Sequence, residues 1–120
     1  MKTVQAVATE IQQVALNFLT NAEYAVLNNQ SPNAERRIIL RTCDTPQGFV
    51  RLEIEDSGAG VGGDHEGKLF QPFFTTKPVG EGTGLGLSVS YGIVQSHGGT
   101  IGHERSPLGG ARFYLELPAQ

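Results

Sequence analysis

Two amphipathic helices alternating with two β-hairpins, and so one mixed α/β domain, is the architecture this sequence predicts. Three observations carry it. Apolar residues recur at three and four spacing over residues 4–28 and again over 85–97; strict alternation runs through residues 49–55; and turn-forming clusters separate these segments. A chain of 120 residues is enough for one core and too short for two, so residues 1–120 form a single domain.

The elements follow in order. Val4, Val7, Ile11, Val14, Leu16, Phe18, Ala22, Ala25 and Val26 mark the first helix, which no Pro or Gly interrupts. The polar run 28–33, with Pro32, stops it. Residues 37–43 and 48–55 read as strands joined by a turn over 44–48. In the second, Phe49, Arg51, Glu53 and Glu55 alternate with Val50, Leu52 and Ile54, the pattern of a half-buried strand. From 56 to about 82 no periodicity persists, and a long irregular stretch inside a compact domain is usually functional. The second helix, 85–97, is closed by Gly98-Gly99 as a C-cap. A hairpin of strands 100–104 and 112–117 around Pro107-Leu-Gly-Gly110 ends the chain.

Composition narrows the function classes. Hydrophobic residues at 38% and charged residues at 18% describe a soluble globular domain. A net charge of −3 gives no basic face for nucleic acid. No apolar run approaches the ~20 residues of a membrane helix, which predicts no direct membrane contact. The polar, helix-like start is not a signal peptide. The lone Cys43 fits a reducing compartment, so a cytoplasmic location is expected. All glycines but Gly48 lie between positions 58 and 110, so the second half has backbone tasks the first lacks.

Three clusters carry chemistry. Asn17 and Asn21, four residues apart, share a helix face within an apolar stretch. Their amide oxygens are hard neutral ligands suited to completing a Mg²⁺ shell otherwise made of phosphates and waters; the alternative is an exposed pair of helix amides. Asp56 ends a strand and opens Ser57-Gly58-Ala59-Gly60, where a carboxylate can accept from an exocyclic amine such as adenine offers; the alternative is an ordinary turn after a strand. Gly80-Glu-Gly-Thr-Gly-Leu-Gly-Leu87 runs into a helix, and freed N–H groups at a helix N-terminus form an anion site. It matches neither the Rossmann fingerprint, since no strand directly precedes it, nor a Walker A loop, since no Gly-Lys-Ser/Thr ends it.

Taken together, these clusters resemble the N, G1, F and G2 boxes of the catalytic ATP-binding domain of bacterial sensor histidine kinases, within the wider group shared with gyrase, Hsp90 and MutL ATPases. Gln13-Val-Ala-Leu-Asn17-Phe-Leu-Thr-Asn21-Ala22 is similar to the N box, Asp56-Ser-Gly-Ala-Gly-Val61 to G1, Leu69-Phe-Gln-Pro-Phe-Phe-Thr-Thr-Lys77 to F, and Gly82-Thr-Gly-Leu-Gly-Leu87 to G2. Gly109-Gly-Ala-Arg-Phe-Tyr-Leu-Glu-Leu-Pro118 is similar to the last strand, so the resemblance spans nearly the whole chain. The F and G2 phrases most resemble the nitrogen-regulator and hybrid-kinase branches.

The resemblance implies a two-layer α/β sandwich (Bergerat-type), a mixed, mostly antiparallel sheet covered on one face by helices. It implies ATP or ADP with Mg²⁺ as ligands. Asn21 would ligate the metal, with Asn17 assisting through metal or water. Asp56 would hold the adenine amine, with Ala25, Gly58, Gly60 and Val61 shaping that pocket. Lys77 would reach the terminal phosphates and, with Asn17, serve the transfer; Thr76, Gly82, Thr83, Gly84, Leu85, Gly86 and Leu87 would complete the nucleotide contacts. Phe70 and Phe73 would anchor a mobile lid, although plain core packing also explains them. The implied partners are a helical dimerisation domain carrying the phosphoacceptor histidine and a response-regulator receiver domain. The helical domain is not in this chain, which looks like an excised, monomeric piece of a bacterial protein, membrane-anchored or not.

In the related ATPases the position of Asn17 is a water-activating Glu, whereas an amide takes no proton at neutral pH. Slow hydrolysis is therefore expected. None of the three histidines is the phosphoacceptor: His65 falls in the lid, His97 suits a helix C-terminus, and His103-Glu-Arg-Ser-Pro107 lies in a hairpin. Three departures from the family pattern stand out. Tyr24 replaces a basic residue, Val7 lies near the place of an acidic one, and the strand before the first helix is missing or trimmed. The alternatives are an anti-sigma-factor-type serine kinase and a degenerate nucleotide-binding regulatory module. Asp56→Ala is expected to remove adenine binding without unfolding the domain.

Overall fold

A computed structural model of the chain describes residues 2–28, 35–59, 69–71 and 86–120. Helix α1 spans Ala8–Leu27, followed by strands β1 (Ile38–Asp44) and β2 (Phe49–Asp56). Helix α2 (Gly86–Ser96) and strands β3 (Thr100–Arg105) and β4 (Ala111–Pro118) complete the order. The four strands form one sheet in the order β1-β2-β4-β3, and every described pairing is antiparallel. β2 and β3 nevertheless run in the same direction, with β4 between them, because α2 carries the chain across one face. The two-layer sandwich expected from the resemblance is the fold observed.

Helix α1 begins four residues later than its apolar periodicity does. Val4 instead bridges Ala119, and the Gln120 N–H donates to the Thr3 carbonyl at 2.8 Å. The N-terminal segment is thus tied to the end of β4 by a one-residue β-bridge. Val14, Phe18, Ala22 and Val26, four residues apart, form the buried stripe of α1. The first three pack on Ile54 of β2 and on Ala111, Phe113, Leu115 and Leu117 of β4, with the Phe18 and Phe113 rings 5.7 Å apart. Leu16, counted in the apolar pattern, is exposed, because two residues along a helix turn a side chain to the opposite side.

Helix α2 ends as its Gly98-Gly99 pair predicts. Gly98 adopts φ 72, a left-handed conformation costly for any other residue, and the Gly99 N–H donates to the Val94 carbonyl at 3.0 Å. His97 has the structural role read from its position and also joins two elements. Its Nε2 accepts the Val7 N–H at 3.1 Å, so Nδ1, 2.8 Å from the Ile93 carbonyl, carries the proton and donates there. His103 lies in β3 with its ring 5.9 Å from that of Phe113, inside the packing of the sheet.

The face of the sheet away from the helices departs from its expected solvated character. Glu53 and Glu55 point there but are only 6% and 3% exposed. Arginines cover them. Arg41 bonds both, Arg51 reaches Glu53, Glu104 and Glu116, and Arg112 reaches Glu55 and Glu104. The Arg51 guanidinium also stacks on Tyr114, 3.9 Å from the ring centre. Burial alone raises both carboxyls. Hydrogen bonds from Arg41 and Arg51 to Glu53, and from Ser106, Arg112 and Arg41 to Glu55, outweigh it and hold both below the ordinary glutamate range.

Candidate nucleotide-binding site

Beside the buried stripe of α1 runs a second one, Gln13, Asn17, Asn21 and Ala25, also four residues apart. Asn17 is bonded at every polar atom. Its Oδ1 accepts from Gln13 Nε2, and its Nδ2 donates to the Gly86 carbonyl and to Ser90 Oγ, each at 2.9 Å. The Gly86 carbonyl can only accept, so the amide nitrogen must face α2. Asn17 therefore clamps α1 to the first turn of α2, where the glycine run ends.

At the other end of the stripe Ala25 meets the turn after β2. A Cβ added to Gly58 would lie 2.7 Å from the backbone of Ala25, so only glycine lets this turn rest on the helix. Asn17 and Ala25 are about 12 Å apart along the helix axis, with Asn21 midway. Asn21 is half-buried, and among the described residues its side chain has no hydrogen-bond partner. An amide with no partner among the described residues, set between two built contacts, has the chemistry to meet a hard cation or a polar group.

Asp56 is 2% exposed. Its Oδ1 accepts the Gly58 N–H at 2.9 Å and the Ala111 N–H at 3.3 Å, which leaves Oδ2 to accept from elsewhere. Burial pushes this carboxyl up from the ordinary aspartate value, only partly countered by those two N–H groups, and the neighbouring Glu55 charge adds to the rise. A desolvated acceptor of this kind rewards one donor strongly and penalises its absence.

The other expected residues divide in two. Gly86 opens α2, Leu87 packs against the core, and Phe70 does so too, its ring 6.0 Å from that of Tyr91. Gly60, Val61, Phe73, Thr76, Lys77, Gly82, Thr83, Gly84 and Leu85 lie outside the described residues. Sequence reasoning missed Ser90, fully buried, whose hydroxyl donates to the Gly86 carbonyl at 2.8 Å and accepts from Asn17. It also missed Gly110 and Ala111. A Cβ on Gly110 would come within 2.1 Å of Asp56 Oδ1, so glycine is required where the last strand passes the carboxylate. The adjacent Gly109-Gly110 was the available signal; for Ser90 there was none.

Asn17→Leu keeps the volume but removes the clamp. It is expected to lower stability by about 1–2 kcal/mol, visible as a lower midpoint in thermal unfolding. An unchanged midpoint would mean that the amide is not holding the helices together.

Comparison with known proteins identifies the family. The family described as histidine kinase-, DNA gyrase B- and HSP90-like ATPase matches residues 6–120. The two-component sensor PprA of Pseudomonas aeruginosa is 41% identical over 117 residues, covering 96% of this chain and 12% of that protein. The sensor protein FixL of Bradyrhizobium diazoefficiens is 37% identical over 116 residues, covering 97% of this chain and 22% of that protein. This chain thus spans a minor part of such relatives. The catalytic domain of histidine kinase ThkA superposes with a TM-score of 0.79 at 36% identity, over 97% of this chain and 70% of that one. A mycobacterial sensor histidine kinase, MprB, shares the fold with a TM-score of 0.81 at 24% identity, over 98% of this chain and 77% of that one. On sequence and fold alike, the chain belongs to the histidine kinase-, DNA gyrase B- and HSP90-like ATPase family.

Proposed function

We propose that this chain is the ATP-binding catalytic domain of a two-component sensor histidine kinase, binding Mg-ATP and delivering the γ-phosphoryl group to a histidine on a separate helical domain. The observation that carries the reading is the single helical stripe of Asn17, Asn21 and Ala25. It joins the start of α2 to the Asp56 turn and leaves Asn21, between them, with no partner among the described residues.

Asp56 Oδ2 accepts the adenine amine, and the glycine run entering α2 takes the phosphates at a helix N-terminus. Lys77 serves the terminal phosphate. Among the described residues no group of three or more His, Cys, Asp or Glu gathers for a metal. A cation here would rest on Asn21, a neutral oxygen ligand, and on the phosphates of the nucleotide, which suits Mg²⁺. Bound Mg²⁺ would neutralise charge on the phosphates during transfer. Asn17, with its nitrogen committed to α2, holds the first turn of that helix against α1. Being an amide, it does not take a proton from water, so the γ-phosphoryl group is kept for a better nucleophile.

The partners are a phosphoacceptor-histidine dimerisation domain and, after it, a response-regulator receiver domain. Sensor relatives of which this chain covers a minor part support a multidomain parent. Among the described residues no helix is long and apolar enough to cross a membrane. The domain works on the cytoplasmic side, where ATP is.

Calorimetric titration with ADP and GDP, each with and without Mg²⁺, tests the reading. Adenine-selective binding that Mg²⁺ strengthens is expected, and a folded sample that binds neither nucleotide would sink it. Asn21→Ala is expected to abolish most of the Mg²⁺-dependent gain while sparing metal-free binding. Equal loss in both conditions would assign Asn21 to packing instead.

A further inference from the structure

The β3–β4 turn is tied to two consecutive residues of β2 that point to opposite faces of the sheet. On the outer face Ser106 Oγ donates to Glu55 Oε2 at 2.8 Å. On the helix face the Ala111 N–H donates to Asp56 Oδ1 at 3.3 Å. Between these points the turn closes on itself. The Ser106 N–H donates to the Gly110 carbonyl at 2.9 Å, the Gly109 N–H to the Ser106 carbonyl at 3.0 Å, and the Leu108 N–H to Ser106 Oγ at 3.0 Å. Gly109 completes it at φ 101. Ser106 is buried at 7% exposure, and its hydroxyl is both donor and acceptor in this arrangement.

We propose that Ser106, through the turn it shapes, is a positioning residue for base recognition, setting the Ala111 N–H against Asp56 Oδ1 so that Oδ2 meets the exocyclic amine of the base. The inference rests on the reading of Asp56 as the adenine acceptor. The physical reason is the division of labour within one carboxylate. Two backbone N–H groups hold Oδ1, one from its own turn and one from β4, and together they fix the plane of the group. With only the Gly58 N–H left, the carboxylate can rotate and the directed bond weakens. Phosphate binding would not register the change, because it uses other groups.

The test is titration of wild type, Ser106→Ala, Ser106→Thr and Gly109→Ala with ADP, GDP and inorganic tripolyphosphate. Gly109 is exposed with open space around it, so alanine there strains the turn by its φ alone. Ser106→Ala and Gly109→Ala are expected to lose about five- to tenfold of the ADP-over-GDP preference, the worth of one weakened hydrogen bond. Tripolyphosphate affinity should stay at the wild-type value, and Ser106→Thr, which keeps the hydroxyl, should retain the preference. A wild-type ADP-to-GDP ratio in both folded variants, or equal loss for all three ligands, would overturn the proposal. So would Ser106→Thr as poor as Ser106→Ala. Should Ser106→Ala not fold, Gly109→Ala decides. No ADP preference in wild type would instead overturn the adenine reading itself.

Discussion

Asp56→Asn is expected to cost at least about a hundredfold in ADP affinity while leaving the empty domain no less stable at pH 7. Asparagine keeps an oxygen for the Gly58 and Ala111 N–H groups that Asp56 Oδ1 now serves. It replaces the other oxygen with an NH₂ that faces the base amine donor to donor. A site built around one hydrogen bond then has two unpaired donors in a desolvated place, a larger penalty than the loss of a single bond. Stability moves the other way. The folded-state pKa of Asp56 is raised, chiefly by burial, above the ordinary aspartate value of 3.8. Its contribution to stability is therefore fully present below that value and lost as pH rises through the folded pKa, so at neutral pH the charge works against folding. Asparagine does not titrate and escapes that loss. Denaturant unfolding from pH 4 to 8 should show the variant gaining on wild type as pH rises, and calorimetry should show the affinity loss. Near-normal ADP binding by Asp56→Asn would remove the adenine assignment.

The geometry also corrects the expectation for Asp56→Ala. Alanine leaves two N–H groups around a buried position without their acceptor, at about 1–3 kcal/mol each. Weak nucleotide binding by that variant would not separate recognition from folding. The sequence pointed to a carboxylate for a ligand and did not reveal that half of it serves the fold.

Arg51→Met should be the most damaging single change on the outer face, at about 3 kcal/mol of stability, because it uncovers charges that are already out of water. Arg51 is bonded to Glu53, Glu104 and Glu116 and stacks on Tyr114. Methionine preserves the stem and removes all three ion pairs. Glu53, buried beneath it, keeps Arg41, whose own side chain is half exposed. The pH dependence distinguishes this from a packing defect. The folded pKa values of Glu53 and Glu55 lie below the ordinary 4.5. Their stabilisation is thus present above 4.5 and lost as pH falls through the folded values. Removing Arg51 lets burial push the Glu53 carboxyl back up, so the acid unfolding midpoint should move to higher pH. An acid midpoint unchanged in Arg51→Met would show that the network contributes nothing.

Much of this was legible in residue order. Both helices, both hairpins and the Gly98 cap follow from periodicity and turn chemistry, since those are local properties that a few neighbouring residues satisfy alone. The roles of Asn17 and Asn21 separated only in the fold. Both are asparagines on one helix face, yet α2 takes the amide of Asn17 while that of Asn21 has no partner among the described residues, and no local rule distinguishes them. Val4 fits the helical spacing, but the tertiary bridge to Ala119 outweighs one turn of helix propensity.

By itself the sequence determined the family, the order of elements and which residue types meet a nucleotide, because motif spacing and hydrophobic period are written along the chain. The tertiary structure alone decided which atoms remain available. Gly110, Ala111 and Ser106 reach Asp56 and Glu55 from more than fifty positions away. Three arginines from β1, β2 and β4 turn a nominally solvated face into a buried ionic layer. Hydrogen-bond capacity and burial are shared between segments that only folding brings together, and so they are properties of the contact.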